Sequence, residues 1–135
     1  MTILVDTGPL VALLNQRDQY HHWAVEQVKY LKPPFYTCEA VMTEVHFLLA
    51  RFPSGNRHLN RLAASGKLNL SFAYQDHLTS IHMQIEKYGN IPMSFADACL
   101  VQLAETHRRS RILTLDSNFS IYRTTRDKSL STMLP

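Results

Sequence analysis

The chain reads as a single α/β domain with a mainly parallel central sheet of four or five strands flanked by helices. Three observations predict this class. Short runs of branched apolar residues recur along the chain and alternate with stretches of helical periodicity. No linker, internal repeat or low-complexity segment divides the 135 residues, a length suited to one domain with a real core. The composition, 45% hydrophobic and 19% charged, is that of an ordinary globular protein.

Residues 2–6 form a first strand, too brief for a core helix and rich in branched residues. Thr7-Gly8-Pro9 turns into a helix, with Thr7 as N-cap and Pro9 in the first turn, where a missing N–H costs nothing. Leu10, Val11, Leu13 and Leu14 give that helix its buried face. A second helix covers residues 20–31 and ends at Pro33-Pro34. Phe35-Tyr36-Thr37 is the second strand, followed by a helix from about 39 to 50 carrying Val41, Val45, Leu48 and Leu49 at helical spacing.

Pro53-Ser54-Gly55 interrupts the pattern before a helix at 56–65 capped by Gly66. Leu68-Asn69-Leu70-Ser71-Phe72 alternates as a third strand. Long helices follow at 75–88 and 95–108, then a fourth strand at Arg111–Leu115 and a weak fifth at Ile121-Tyr122-Arg123.

No apolar run approaches the roughly 18 residues of a membrane span. The first residues carry no basic region and meet Asp6 at once, unlike a secretory leader, so a cytoplasmic protein is expected. Cys38 and Cys99 form no Cys-x-x-Cys pair, and the seven histidines show no metal-ligand spacing, which argues against zinc. The net charge of +3 leaves the remaining surface basic, with Arg51, Arg57 and Arg61 near one another and a dense run at 107–111. A polyanionic partner is compatible with this, although dipole complementation at a helix end explains residues 107–111 as well.

The chemistry lies in four acids that break apolar segments: Asp6 after Ile3-Leu4-Val5, Glu44 between Thr43 and Val45, Asp97 in Phe95-Ala96-Asp97-Ala98, and Asp116 after Ile112-Leu113-Thr114-Leu115. Acids are almost never buried unless paired or bound to metal, and no basic residue stands close in sequence to Asp6, Glu44 or Asp97. Asp6 and Asp116 end strands, where open parallel sheets build their sites, while Glu44 and Asp97 lie early in helices. Taken singly, Asp6 and Asp116 could be helix caps, and Asp97 could serve the dipole of its helix. Together they predict one acidic cup. Two carboxylates about 6 Å apart at an effective dielectric of 20 repel by roughly 3 kcal/mol, so several together need compensation. Mg²⁺ or Mn²⁺ suits hard oxygen ligands, and phosphodiester hydrolysis is the chemistry such a site suits best. Thr7, Thr114, Ser117 and Asn118 supply nearby polar groups, as supports for the site or as caps and turn formers.

Asp6-Thr7-Gly8-Pro9-Leu10, the embedded Glu44, the run from Met93 to Leu100 and the run from Ile112 to Phe119 together resemble the PIN-domain family over nearly the whole chain. The resemblance implies one PIN-like domain over residues 1–135, with a 5′-nuclease-like parallel sheet and an acidic Mg²⁺ or Mn²⁺ pocket that cleaves RNA. It implies Asp6 and Asp97 as principal metal ligands, Asp116 as a direct or water-mediated ligand, and Glu44 as the residue that completes the site and orients water. Thr114 matches the hydroxyl residue two before the last acid. Many small bacterial members are homodimeric toxins silenced by an antitoxin, so an RNA substrate, an antitoxin and a second copy are the implied partners.

Glu39 rivals Glu44 for the second position, but only Glu44 is embedded between apolar neighbours, and Asp18 reads as an exposed cap. A haloacid-dehalogenase-type phosphatase needs a second Asp two residues after the first, where this chain has Gly8. A receiver-type phospho-acceptor lacks its paired acids and lysine. The remaining alternative is a PIN-like module that binds RNA or protein without cutting.

Overall fold

The computed structural model describes all residues, 1–135. Five strands form one sheet: β1 (Thr2–Val5), β2 (Phe35–Tyr36), β3 (Leu68–Asn69), β4 (Ser110–Leu113) and β5 (Thr132–Met133). Their order is β3-β2-β1-β4-β5, and every pairing is parallel. Six helices connect them: α1 (Thr7–Leu14), α2 (His21–Leu31), α3 (Glu39–Leu48), α4 (Pro53–Ala64), α5 (Leu78–Lys87) and α6 (Phe95–Thr106). Short 3₁₀ turns occupy Tyr74–His77 and Ser117–Ser120.

The strand order explains why β1 is the most apolar strand. It lies in the middle of the sheet, paired to β2 on one side and along its whole length to β4 on the other, so Ile3, Leu4 and Val5 are all buried. From β1 the chain winds outward through β2 and β3, then returns to the opposite side for β4 and β5. The order therefore reverses between β1 and β4, and at that switch point the connections diverge and leave a crevice at the carboxyl edge.

Helix α6 is the inner helix, with Ala96 to Val101 buried without a break and Leu103 and Ala104 buried beyond them. Its small residues Ala96, Ala98, Cys99 and Ala104 let it pack closely against β1, β4 and its neighbours α3 and α5. One hydrophobic core runs through the molecule, and its two largest fully buried side chains, Tyr122 and Phe119, come from the segment after β4.

Several boundaries differ from expectation. Pro53 begins α4 instead of interrupting it, at the first helical position, where its missing N–H has no intrahelical partner to lose. The third strand stops at Asn69, and residues 70–73 leave the sheet. Ile121–Arg123 is not a strand: Tyr122 turns into the core there, and Arg123 makes only an isolated antiparallel bridge to Ser129. The fifth strand is instead the two-residue edge at Thr132–Met133. No helix is long and apolar enough to cross a membrane.

Candidate active site

The switch point is where the first and last predicted acids arrive. Asp6 follows β1 directly, and its backbone N–H donates to the Leu113 carbonyl at 3.0 Å, extending the β1–β4 pairing into the crevice. Asp6, with extended backbone, is itself the N-cap of α1, a role expected of Thr7, because β1 ends at Val5, one residue earlier than the expected strand over residues 2–6. Its Oδ1 accepts the Thr7 N–H at 2.8 Å, and its Oδ2 accepts the Thr114 hydroxyl at 2.8 Å. Thr114 Oγ1 in turn accepts the Asp116 N–H at 3.0 Å, and Asp116 Oδ1 accepts the Asn118 N–H at 2.9 Å.

Glu44 joins from α3. Its Oε1 accepts the Thr7 hydroxyl at 2.6 Å, so the first residue of α1 holds one acid through its N–H and another through its side chain. Asp97 sits in the first turn of α6 within a capping box: its N–H donates to Ser94 Oγ at 3.0 Å, and its Oδ2 accepts the Ser94 N–H at 3.2 Å. That oxygen also accepts the buried Tyr122 hydroxyl at 3.1 Å, which leaves Oδ1 free of protein donors.

Gly8 allows the two halves to meet. A Cβ there would lie 3.0 Å from Leu115 Cδ1 and 3.1 Å from its Cγ, inside normal contact. Leu115 stands between Thr114 and Asp116, so the bare backbone at Gly8 lets the start of α1 close against the end of β4.

The electrostatics of this crevice are unrelieved. The one ion pair in the protein, Arg123 with Asp127 at 3.9 Å, lies elsewhere on the surface, and no Lys or Arg pairs with any of the four acids. Burial pushes the Asp6 carboxyl up to about 6, and the nearby charges of Asp97 and Glu44 add to this against the lowering bonds from Thr114 and Thr7. Burial also raises Asp97, with Asp116 adding repulsion against the bonds from Ser94 and Tyr122. The Tyr122 phenol is raised by burial and by the Asp97 charge beside it, so it stays a proton donor. These mutual influences link Asp6 to Asp97 and Glu44, and Asp97 to Asp116.

The four acids thus lie near one another at the carboxyl edge of the sheet, yet no three His, Cys, Asp or Glu side chains converge closely enough to hold an ion by themselves. The donor set fits a hard divalent cation that keeps part of its water shell: carboxylate oxygens, no soft ligand, and an unpaired oxygen on Asp97. Ser117 is exposed, and its carbonyl accepts the Ser120 hydroxyl at 2.6 Å, outside this network. Glu39 is exposed at the start of α3, and Asp18 caps a turn by accepting the Tyr20 N–H at 2.8 Å. Tyr122 was not legible as a site residue, whereas Ser94 had a signal in the Ser-x-x-Asp spacing of a capping box. Cys38 and Cys99, distant in sequence, come together as a buried pair of free thiols.

An α/β domain with an acidic crevice at its switch point defines the class, and the sequence places the chain within it. Residues 3–124 match the PIN-domain family, to which this chain belongs. Among solved structures it is similar to Mycobacterium tuberculosis VapC20, described as a sarcin–ricin-loop-cleaving toxin, with a TM-score of 0.77 and 22% identity over 89% of this chain and 94% of that one. It is also similar to FitAcB of Neisseria gonorrhoeae (TM-score 0.63, 17% identity, 98% and 96% covered). VapBC2 of Rickettsia felis, bound to a promoter DNA fragment, matches with a TM-score of 0.61 at 13% identity, covering 99% and 98%. At these identities the likeness is one of fold. Comparison with curated proteins gives no significant match.

Proposed function

We propose that the protein is a Mg²⁺- or Mn²⁺-dependent endoribonuclease of the toxin type, acting through Asp6, Glu44, Asp97 and Asp116. The observation that carries this is Asp6: a buried carboxylate surrounded by other acids and hydroxyls, with no basic partner. A fold retains such a group at a cost unless something cationic binds there. Bound in the crevice, the cation would neutralise the gathered charge and the leaving oxygen of a phosphodiester.

The chain's own residues have separable tasks in this reading. Thr7 N–H and Thr114 fix both oxygens of Asp6, so its orientation is set before any ligand arrives. Ser94 and Tyr122 hold one oxygen of Asp97 and present the other. Glu44, half-buried and tethered through one oxygen only, has its second oxygen available to orient the attacking water. Asp116 completes the acidic wall. The toxin role follows the family resemblance and the description of VapC20, and with it come an antitoxin partner and a homodimer.

The test is cleavage of single-stranded RNA with and without divalent cation, in wild type, Asp6→Asn and Asp97→Asn. Cation-dependent cleavage lost in both variants is the expected result; cleavage that survives both removes the site assignment. The module that binds without cutting draws on the absence of a preassembled three-ligand group. RNA binding without turnover at any cation concentration would establish it instead.

A further inference from the structure

Beside the acidic crevice lies a groove of about 580 Å³, within the roughly 300–1,000 Å³ range of small-ligand sites. Glu44 lines it, and Phe95 and Ala96, immediately before Asp97, form its other wall, so the groove is continuous with the site. Its composition is specific. Every large apolar side chain in its lining is aromatic: Phe72, Tyr74 and Phe95. The rest are small or polar, with no Leu, Ile, Val or Met and no Lys or Arg.

The aromatic rings are held in place. Phe95 meets Tyr74 edge-to-face at 4.9 Å while remaining 44% exposed, and Tyr74 is 38% exposed. The Tyr74 hydroxyl bonds His82 Nε2 at 2.6 Å, and His77 stacks on Phe72 at 5.2 Å with rings 9° from parallel. Flat, fixed, partly exposed rings over a floor of small residues do not resemble the aliphatic sockets that seat a peptide's branched side chains. Without basic residues, and with Glu39 and Glu44 at the rim, the groove repels phosphate but accepts an uncharged heterocycle, and Gln75 and Thr43 can meet its polar edge.

We infer that this groove is a nucleobase subsite, in which an unpaired base flanking the scissile phosphate stacks on one of the two rings, Tyr74 or Phe95, and meets the edge of the other. The inference rests on the ribonuclease reading and extends it: an unpaired base, not duplex shape, positions the phosphodiester over the acids.

The experiment uses a short single-stranded RNA carrying one 2-aminopurine, whose fluorescence is quenched on stacking, with wild type, Tyr74→Leu, Phe95→Leu and Asp6→Asn. Melting curves confirm that each variant folds, as expected for two partly exposed positions. Wild type and Asp6→Asn should quench, while each leucine variant should bind roughly tenfold more weakly with an unchanged salt slope. In cleavage, the leucine variants should raise KM and leave kcat nearly intact. Quenching without cleavage in wild type would remove the ribonuclease reading and keep the subsite. Cleavage with binding and KM unchanged in both leucine variants would overturn the subsite and keep the ribonuclease. Unchanged RNA binding together with loss of self-association, read by light scattering, would also overturn it by making the groove a protein interface.

Discussion

The two edges of the sheet carry opposite chemistry and satisfy it differently. At the carboxyl edge, Asp6, Glu44, Asp97 and Asp116 crowd together, share hydroxyl and backbone donors, and meet no cationic side chain. At the amino edge, Arg108, Arg126 and Lys128 line an open cleft of about 490 Å³ with serines and Glu105, whose carboxylate is taken by Thr125. The basic residues are exposed to water and cost little, whereas Asp6 is buried and raised toward neutrality. A fold that could have paired these charges keeps them at opposite ends of its strands. On the proposed reading, the positive charge that relieves the carboxyl edge comes from outside the chain.

Neutralising either buried acid tests this most severely. Asp6→Asn and Asp97→Asn should each lower cation-dependent RNA cleavage by at least ~100-fold, since even residues that only orient metal ligands cost about 10–100-fold. Kinetics at saturating cation measure it.

Next in size is the effect on stability. A carboxyl raised from 3.8 to about 6 binds its proton more tightly in the folded state, so stability is lost as pH rises through that window. The whole loss is about 3 kcal/mol and is complete above pH 6. In Asp6→Asn, denaturant melts in chelator should show a smaller fall between pH 4 and pH 7, leaving the variant more stable than wild type at neutral pH. A wild-type advantage that persists at pH 7 would show that Asp6 is a structural cap above all. Asp97, raised by burial in the same direction, should also gain stability in Asp97→Asn, set against its part in the capping box of α6.

The legibility of these features follows from their range. β1 and Asp6 could be read because a central parallel strand is buried on both faces and shows an unbroken apolar run, after which an acid is conspicuous. Asp97 was visible for the same reason inside the most buried helix. The N-cap moved by one residue because Asp6 and Thr7 are both good caps, and the choice depends on where β4 stops pairing. β5 was not legible: two edge residues carry no periodicity, and only their register with Ile112 and Leu113 makes them a strand. Tyr122 was misread because a branched residue followed by an aromatic, Ile121-Tyr122, suits a strand, whereas its ring packs against Tyr88 and Phe119 and its hydroxyl finds Asp97, contacts that only the tertiary fold specifies.

Tyr122→Phe measures that contact alone. It removes one of two donors from Asp97 Oδ2 and leaves the ring in its packing. The expected loss is about 1 kcal/mol of stability and about tenfold in cation affinity, read by thermal shift against a divalent-cation titration. Lost stability with unchanged cation affinity would make the hydroxyl a structural bond only.

The smallest effect belongs to the amino edge. Four residues of β4 span roughly 13 Å along the strand, and the exposed guanidinium groups of Arg108 and Arg126 lie beyond its start while Asp116 lies beyond its end. At about 0.1 M salt the screening length is about 10 Å, so these charges act only weakly on the carboxyl edge. Arg108→Gln with Arg126→Gln should shift stability by less than about 0.5 kcal/mol. Cleavage of a short RNA that reaches only the acidic crevice should be unchanged, with the same salt dependence. A shallower salt slope on that short RNA would mean that its phosphates reach the far edge, and the two edges would then form one binding track.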